Sequence, residues 1–163
     1  MLSAATVLGL ALLAFAGVVL LSPTKPSTSG LIWPALLVTW IILGVGYSAV
    51  MTPSGRLLRR SAHPADRPAI FAGQFALSHA CWLLTYPLAG WLGSSAGILP
   101  TLLVLAALTF SGVLLAWSVW PAIDADVIPH QHPELPTDHP HLDGKPSRHA
   151  HAYVIDNLHH HWP

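Results

Sequence analysis

Histidines carry the most conspicuous chemistry in this chain of 163 residues. Near the C-terminus they come as His130-Gln131-His132, His139-Pro140-His141 and His149-Ala150-His151, followed by His159-His160-His161. Neutral imidazole binds borderline divalent metals such as Zn, Ni, Co and Cu, and carboxylates fill further positions. Glu134, Asp138, Asp143 and Asp156 are interleaved with the pairs. In a flexible peptide a His-x-His pair puts two ligands within reach of one ion, at the entropic cost of closing the site. His130, His132, His139, His141, His149, His151, His159, His160 and His161 are therefore candidate ligands of a weakly and promiscuously bound divalent metal. No cofactor is required otherwise. A merely solvated polar tail is the alternative. An expression tag fits poorly, because only His159 to His161 are consecutive and Trp162-Pro163 follow.

A second set of polar residues lies within an apolar stretch. Gln74, Ser78, Cys81 and Thr85 fall on one helical face, with Phe75, His79, Trp82 and Tyr86 as a neighbouring stripe at the same spacing. An amide or imidazole at bilayer depth is costly and faces a bundle interior or a wet cavity. Gln74, Ser78, His79 and Tyr86 are thus candidate substrate-cavity residues, with His79 able to titrate near neutral pH. The competing role is interhelical hydrogen bonding, which is the better account of Cys81 and Thr85.

These residues sit in a chain that is 53% hydrophobic and only 9% charged, against roughly 25% charged in soluble domains. Four stretches reach the roughly 20 apolar residues needed to cross a bilayer as helix: about 2–21, 31–51, 68–92 and 98–120. Helix is the required conformation, since lipid leaves every backbone polar group to be satisfied within the segment. The first stretch has no Lys or Arg and outruns a typical signal-peptide core, so it reads as a membrane helix. Gly44, Gly46, Gly90, Gly93 and Gly97 permit close helix approach. The second helix is expected to stop at Thr52-Pro53-Ser54-Gly55 and the fourth at Pro121. The fold class expected is an all-α membrane protein: a four-helix region over 1–121 and a His-rich tail over 122–163. Prolines 129, 133, 136, 140 and 146 and low apolar content make the tail mostly disordered. Val154, Ile155, Leu158 and Trp162 suggest a short amphipathic helix over 151–162.

Orientation follows from the positive charges. Arg56, Arg59, Arg60 and Arg67 crowd the gap between the second and third helices, while the first gap holds only Lys25. The positive-inside bias makes that gap cytoplasmic. An even helix count then puts both termini and the tail in the cytoplasm, in the inner (plasma) membrane. Trp33, Trp91, Trp117 and Trp120 near helix ends suit the interface.

Residues 44–121 resemble the end of a major facilitator superfamily (MFS) transporter. A Gly-rich helix, a basic turn, the stretch RPAIFAGQFALSHACWLLTYPLAGWLG and a last helix ending in WSVWP carry the resemblance. It implies that the four helices correspond to the ninth to twelfth of that family, a C-terminal third of its bundle, with a cytoplasmic C-terminus. The superfamily has two six-helix halves with substrate held between them. Four helices cannot present both walls. The resemblance therefore implies a fragment or subunit, partnered by the lipid bilayer and by the N-terminal transporter helices or another membrane subunit. Nucleic acid is not an expected partner.

The leading expectation is transport as part of an MFS-type secondary transporter of unknown substrate. Efflux or sensing of a divalent metal (Ni, Zn, Co or Cu) through the tail is the alternative, and a small membrane scaffold or assembly protein is a second. There is no nucleophile elbow, phosphate loop or His-Glu-x-x-His helix, and no Asp or Glu lies inside an apolar stretch. No catalytic residue is assigned, and an enzyme is not expected.

Overall fold

The computed structural model describes residues 1–22, 30–120 and 125–162. The expected loop with Lys25, the stop at Pro121 and the tail's first three residues lie outside the described residues. Four helices, α1 (Leu2–Leu21), α2 (Ile32–Arg60), α3 (Arg67–Ser95) and α4 (Ile98–Val119), precede two short strands, β1 (Val127–Gln131) and β2 (Arg148–Ala152). The helical region is an all-α membrane bundle. Among the described residues α1, α2 and α4 are long and apolar enough to cross a membrane. At 29 residues, α3 has the length but is less apolar, carrying Gln74, Ser78, His79 and Thr85.

The chain divides into two compact units, Met1–Gly55 with Ala72–Trp120, and Arg56–Phe71 with Pro121–Pro163. In the first, Phe15 and Ala16 of α1 bury against Leu102 of α4, flanked by Leu12, Val19, Leu99, Ala35 and Leu36. Small residues set the approach. A Cβ on Gly9 would stand 2.8 Å from the tip of the Phe110 ring, and one on Gly46 would stand 2.6 Å from a Leu8 methyl. Gly44 and Gly90 face open space, so close approach does not explain them. Gly97 turns α3 into α4 at φ 87°, a left-handed backbone that other residues resist.

One expected boundary moves. α2 does not stop at Thr52-Pro53 but runs through Pro53 to Arg60. Pro53 removes one donor, yet neighbouring hydroxyls fold back: Thr52 donates to the Ser48 carbonyl at 2.8 Å and Ser54 to the Met51 carbonyl at 2.6 Å. Leu57, Leu58, Arg59 and Arg60 are good helix formers, and the last two sit where the helix dipole favours cations. Arg56, Arg59 and Arg60 thus lie on the last turns of α2 and Arg67 opens α3, rather than all four in a loop.

The tail is corrected more deeply. Expected as mostly disordered, it pairs β1 with β2 antiparallel, with His130 opposite His149 and Ile128 opposite His151. No helix forms over 151–162: strand β2 extends to Ala152, and turns and bends follow. The spacing of Val154, Ile155 and Leu158 is too short a run to nucleate a helix. Instead the Ile155 amide donates to the Arg60 carbonyl at 2.8 Å, and the Leu158 and His159 amides both donate to the Asp156 carboxylate at 2.9 Å.

Overpacking the α1–α4 contact gives a direct check on this bundle. Gly9→Val is expected to cost about 1–3 kcal/mol, read as a lower thermal midpoint of the full chain in detergent. Gly44→Val, facing open space, should leave the midpoint nearly unchanged.

Candidate metal centre in the C-terminal hairpin

A strand presents alternate side chains to one face, so His-x-His at period two delivers both imidazoles to the same side. β1 and the residue after it supply His130 and His132, and β2 supplies His149 and His151. The ladder persists just past β1, where the His132 amide donates to the Ser147 carbonyl at 3.0 Å. Between the strands a single 3₁₀ turn, Pro140–Leu142, brings in His141. His159 arrives from the segment after β2, its ring held by Asp156 at 2.9 Å.

Six of the nine expected ligands meet in this way, as two overlapping groups: His130, His132, His141 and His159, and His130, His141, His149 and His151. Within each group the ligand nitrogens all lie within 4.8 Å of one another. The remaining three do other things or stand apart. The His139 ring caps the 3₁₀ turn by accepting from the His141 amide at 3.2 Å. The His161 carbonyl accepts from the Tyr153 hydroxyl at 2.8 Å. Neither His160 nor His161 joins either group.

The cluster is more enclosed than a flexible tail would be. His132, His149 and His159 are buried, alongside Leu142 and Tyr153. Burial, aided by neighbouring imidazoles, pushes His130 and His132 below the usual histidine range. It takes His141 down to about 4. His159 is likewise lowered by burial, although Asp156 opposes the shift. Burial would raise Asp156, but bonds from the Leu158 and His159 amides and the His159 ring hold its carboxyl low. These imidazoles are therefore neutral near pH 7, the form that ligates metal.

Residues outside the expected ligand set build the floor of this unit. Arg60 Nη1 meets Asp126 at 2.8 Å and Arg56 Nη2 meets it at 3.2 Å. Trp162 lies over the Arg60 guanidinium at 5.0 Å. Arg67 Nε donates to the carbonyls of Arg59 at 3.1 Å and Ala62 at 3.2 Å, and His63 bonds Asn157 at 2.7 Å. Thus Arg56, Arg60 and Arg67, expected only to mark topology, also organise structure. Asp126 and Tyr153 escaped the sequence reading. The signal available for the hairpin was the period-two spacing of the histidine pairs.

The other expected site is on α3. None of its residues is buried. Phe75, His79, Trp82 and Tyr86 form a continuous stack, with successive ring centroids 3.8, 4.7 and 6.1 Å apart. Ser78 Oγ and His79 Nδ1 both donate to the Phe75 carbonyl at 2.8 Å, and Thr85 donates to the Cys81 carbonyl at 2.9 Å. Ser78 and Thr85 are thereby spent on their own helix. Gln74 and His79 Nε2 keep their polar capacity.

Long apolar helices define an integral membrane protein, and the chain also carries a polar, histidine-bearing hairpin. The family model of the Major Facilitator Superfamily matches residues 2–153, and the chain belongs to that superfamily. No curated protein and no solved structure matches it. Membership makes it a membrane transport protein rather than an enzyme.

The lowered histidines predict an acid-sensitive hairpin in metal-free protein. Below about pH 6.5 the unfolded tail binds protons that the buried rings refuse. The hairpin should therefore hold its full stability above that pH and lose it as pH falls toward the His141 value of about 4. Hydrogen exchange of amides in 127–159, corrected for its intrinsic pH dependence, reads this. Protection unchanged across that window would contradict the burial of these rings.

Proposed function

We propose that the four helices form one part of a secondary transporter, with α3 lining the substrate path and further membrane helices completing it. Those helices belong to the N-terminal part of such a transporter or to another membrane subunit. The observation that carries this reading is α3 itself. A 29-residue helix with no buried residue exposes Phe75, Leu77, Leu83, Leu84, Tyr86 and Trp91. Its Gln74–Ser78 and Phe75–His79–Trp82–Tyr86 stripes have the mixed polar and aromatic character of a binding surface. In the superfamily, substrate sits between two halves that rock against each other, and a helix of this kind belongs at such a seam. The positive-inside bias of Arg56, Arg59, Arg60 and Arg67 supports placing the hairpin unit in the cytoplasm of a cell with an inner or plasma membrane.

A second reading, efflux or sensing of a divalent metal, is favoured by the convergence of six imidazoles in the tail. It is compatible with the first, since a transporter of such an ion gains from a capture or reporting site on the side from which the ion departs.

Reconstitution in proteoliposomes tests the transport reading. The chain alone should carry no flux of candidate substrates, and crosslinking in native membranes should capture helices that cover α3. In the completed assembly, Gln74→Ala and His79→Ala should each lower flux by about ten-fold or more, consistent with loss of a hydrogen bond to substrate or coupling proton worth about 1.4 kcal/mol or more. Unaided flux by the isolated chain would overturn the view that α3 needs a partner wall.

A further inference from the structure

Three imidazoles have Nδ1 committed to groups that offer only lone pairs. His130 Nδ1 donates to the Ile128 carbonyl at 2.9 Å, and His151 Nδ1 to the Ala152 carbonyl at 2.8 Å. His159 Nδ1 donates to the Asp156 carboxylate at 2.9 Å. A neutral imidazole carries one N–H, so Nε2 in each of these rings is a bare acceptor. Yet His130 Nε2 and His159 Nε2 stand 3.0 Å apart. No hydrogen is available to lie between them, and two facing lone pairs at that distance repel. Such an arrangement calls for a cation.

The spacing indicates which kind. His132 Nε2 is 3.2 Å from His159 Nε2, and His149 and His151 each bring Nε2 to 3.3 Å from His141 Nε2. Bonds of about 2.0–2.1 Å from zinc to imidazole nitrogen, arranged tetrahedrally, give nitrogen–nitrogen edges of about 3.3–3.4 Å. These four contacts match such edges, slightly contracted, within sets whose ligand nitrogens all lie within 4.8 Å of one another. An all-nitrogen donor set suits Zn, Ni, Co or Cu and gives Mg or Ca none of the oxygen ligands they require.

We propose that the hairpin is a built site for one divalent transition-metal ion, held by the imidazoles of His130, His132, His141 and His159, with an alternate quartet formed by His149 and His151 together with His130 and His141. This deepens the metal-linked reading and rests on it only for the ion's physiological use. His130 and His141 belong to both quartets, so occupation of one excludes the other and the stoichiometry is one. Both quartets have buried members, His132 and His159 in the first and His149 in the second. The second borders a cavity of about 340 Å³ lined by His141, Lys145, His149, His151 and Asp156 among others. Asp156 behind His159 and the Ile128 carbonyl behind His130 are the outer partners that orient such ligands.

The test uses the purified full chain in detergent, stripped with chelator and titrated with Zn²⁺ by calorimetry and Co²⁺ by visible absorption. One tight equivalent and the intense absorption of four-coordinate cobalt are expected, with no binding of Mg²⁺. His130→Ala and His141→Ala should each weaken Zn²⁺ binding by about 100-fold or more, and Asp156→Asn by about 10–100-fold. The double variant His160→Ala, His161→Ala, at two rings that join neither quartet, should bind as the parent does. A six-coordinate cobalt spectrum, several weak equivalents, or equal losses in the double variant and His130→Ala would overturn the site. The spectrum and stoichiometry of the unsubstituted chain decide the matter even where a variant fails to fold. None of these readouts involves flux, so the site and the transport reading succeed or fail separately.

Discussion

Hydrocarbon offers a polar group nothing to bond to, and most of this structure follows from that. The constraint makes helices of the long apolar stretches. It also disposes of the hydroxyls within them: Thr6, Thr39, Thr101, Thr109 and Ser111 each donate to the carbonyl four residues back, at 2.8–3.0 Å. Near Pro53 and Pro87, where a backbone donor is missing, Thr52 and Thr85 do the same. With polar groups silenced in this way, helix association rests on shape, and Gly9 beneath Phe110 and Gly46 beside Leu8 are where shape is tightest. Gln74 and His79 are the exceptions on α3, which is why that helix draws the functional reading.

Among the described residues the same constraint keeps formal charge to the second unit, where it becomes constructive. Arg60 is largely buried there, and its bond to Asp126, the stacking of Trp162 and the capture of its carbonyl by Ile155 fix the end of the tail. The Asp126 carbonyl accepts from the Tyr153 amide at 3.0 Å, next to the end of the β1–β2 ladder. Electrostatics that read as topology in the sequence thus also set a register.

The helices were legible because composition alone forces them, and three of the expected spans agree with α1, α3 and α4 to within about three residues at either end. α2 misled because a lone proline with hydroxyl neighbours was weighted as a full stop. The tail misled for a subtler reason. Its apolar content is too low to fold by hydrophobic burial, and that judgement was sound on its own terms. What it omitted is that histidines spaced by one residue share a strand face, so a polar stripe can be gathered as an apolar one is. The contributions of His141, through a 3₁₀ turn, and of His159, through Asp156, depend on contacts 10 and 29 residues distant and could not be read locally.

A core made of imidazoles poses an energetic question that the apolar residues do not answer. Among the described residues of this unit the buried hydrophobic ones are Ala62, Leu142 and Tyr153, each contributing at most about 1.5–3 kcal/mol. Ordering a segment of this length costs about 1–2 kcal/mol per residue. Natural folds this small close the gap with disulfides or a structural metal, and no disulfide is available because the chain has a single cysteine. Structural zinc contributes about 10–16 kcal/mol of apparent binding free energy in small folds. Ion pairs at Asp126 are partly exposed and worth far less. The converging imidazoles are thus the feature of this unit that apolar burial does not account for, and the proposed ion would add a contribution of that size to a hairpin already formed by its backbone ladder.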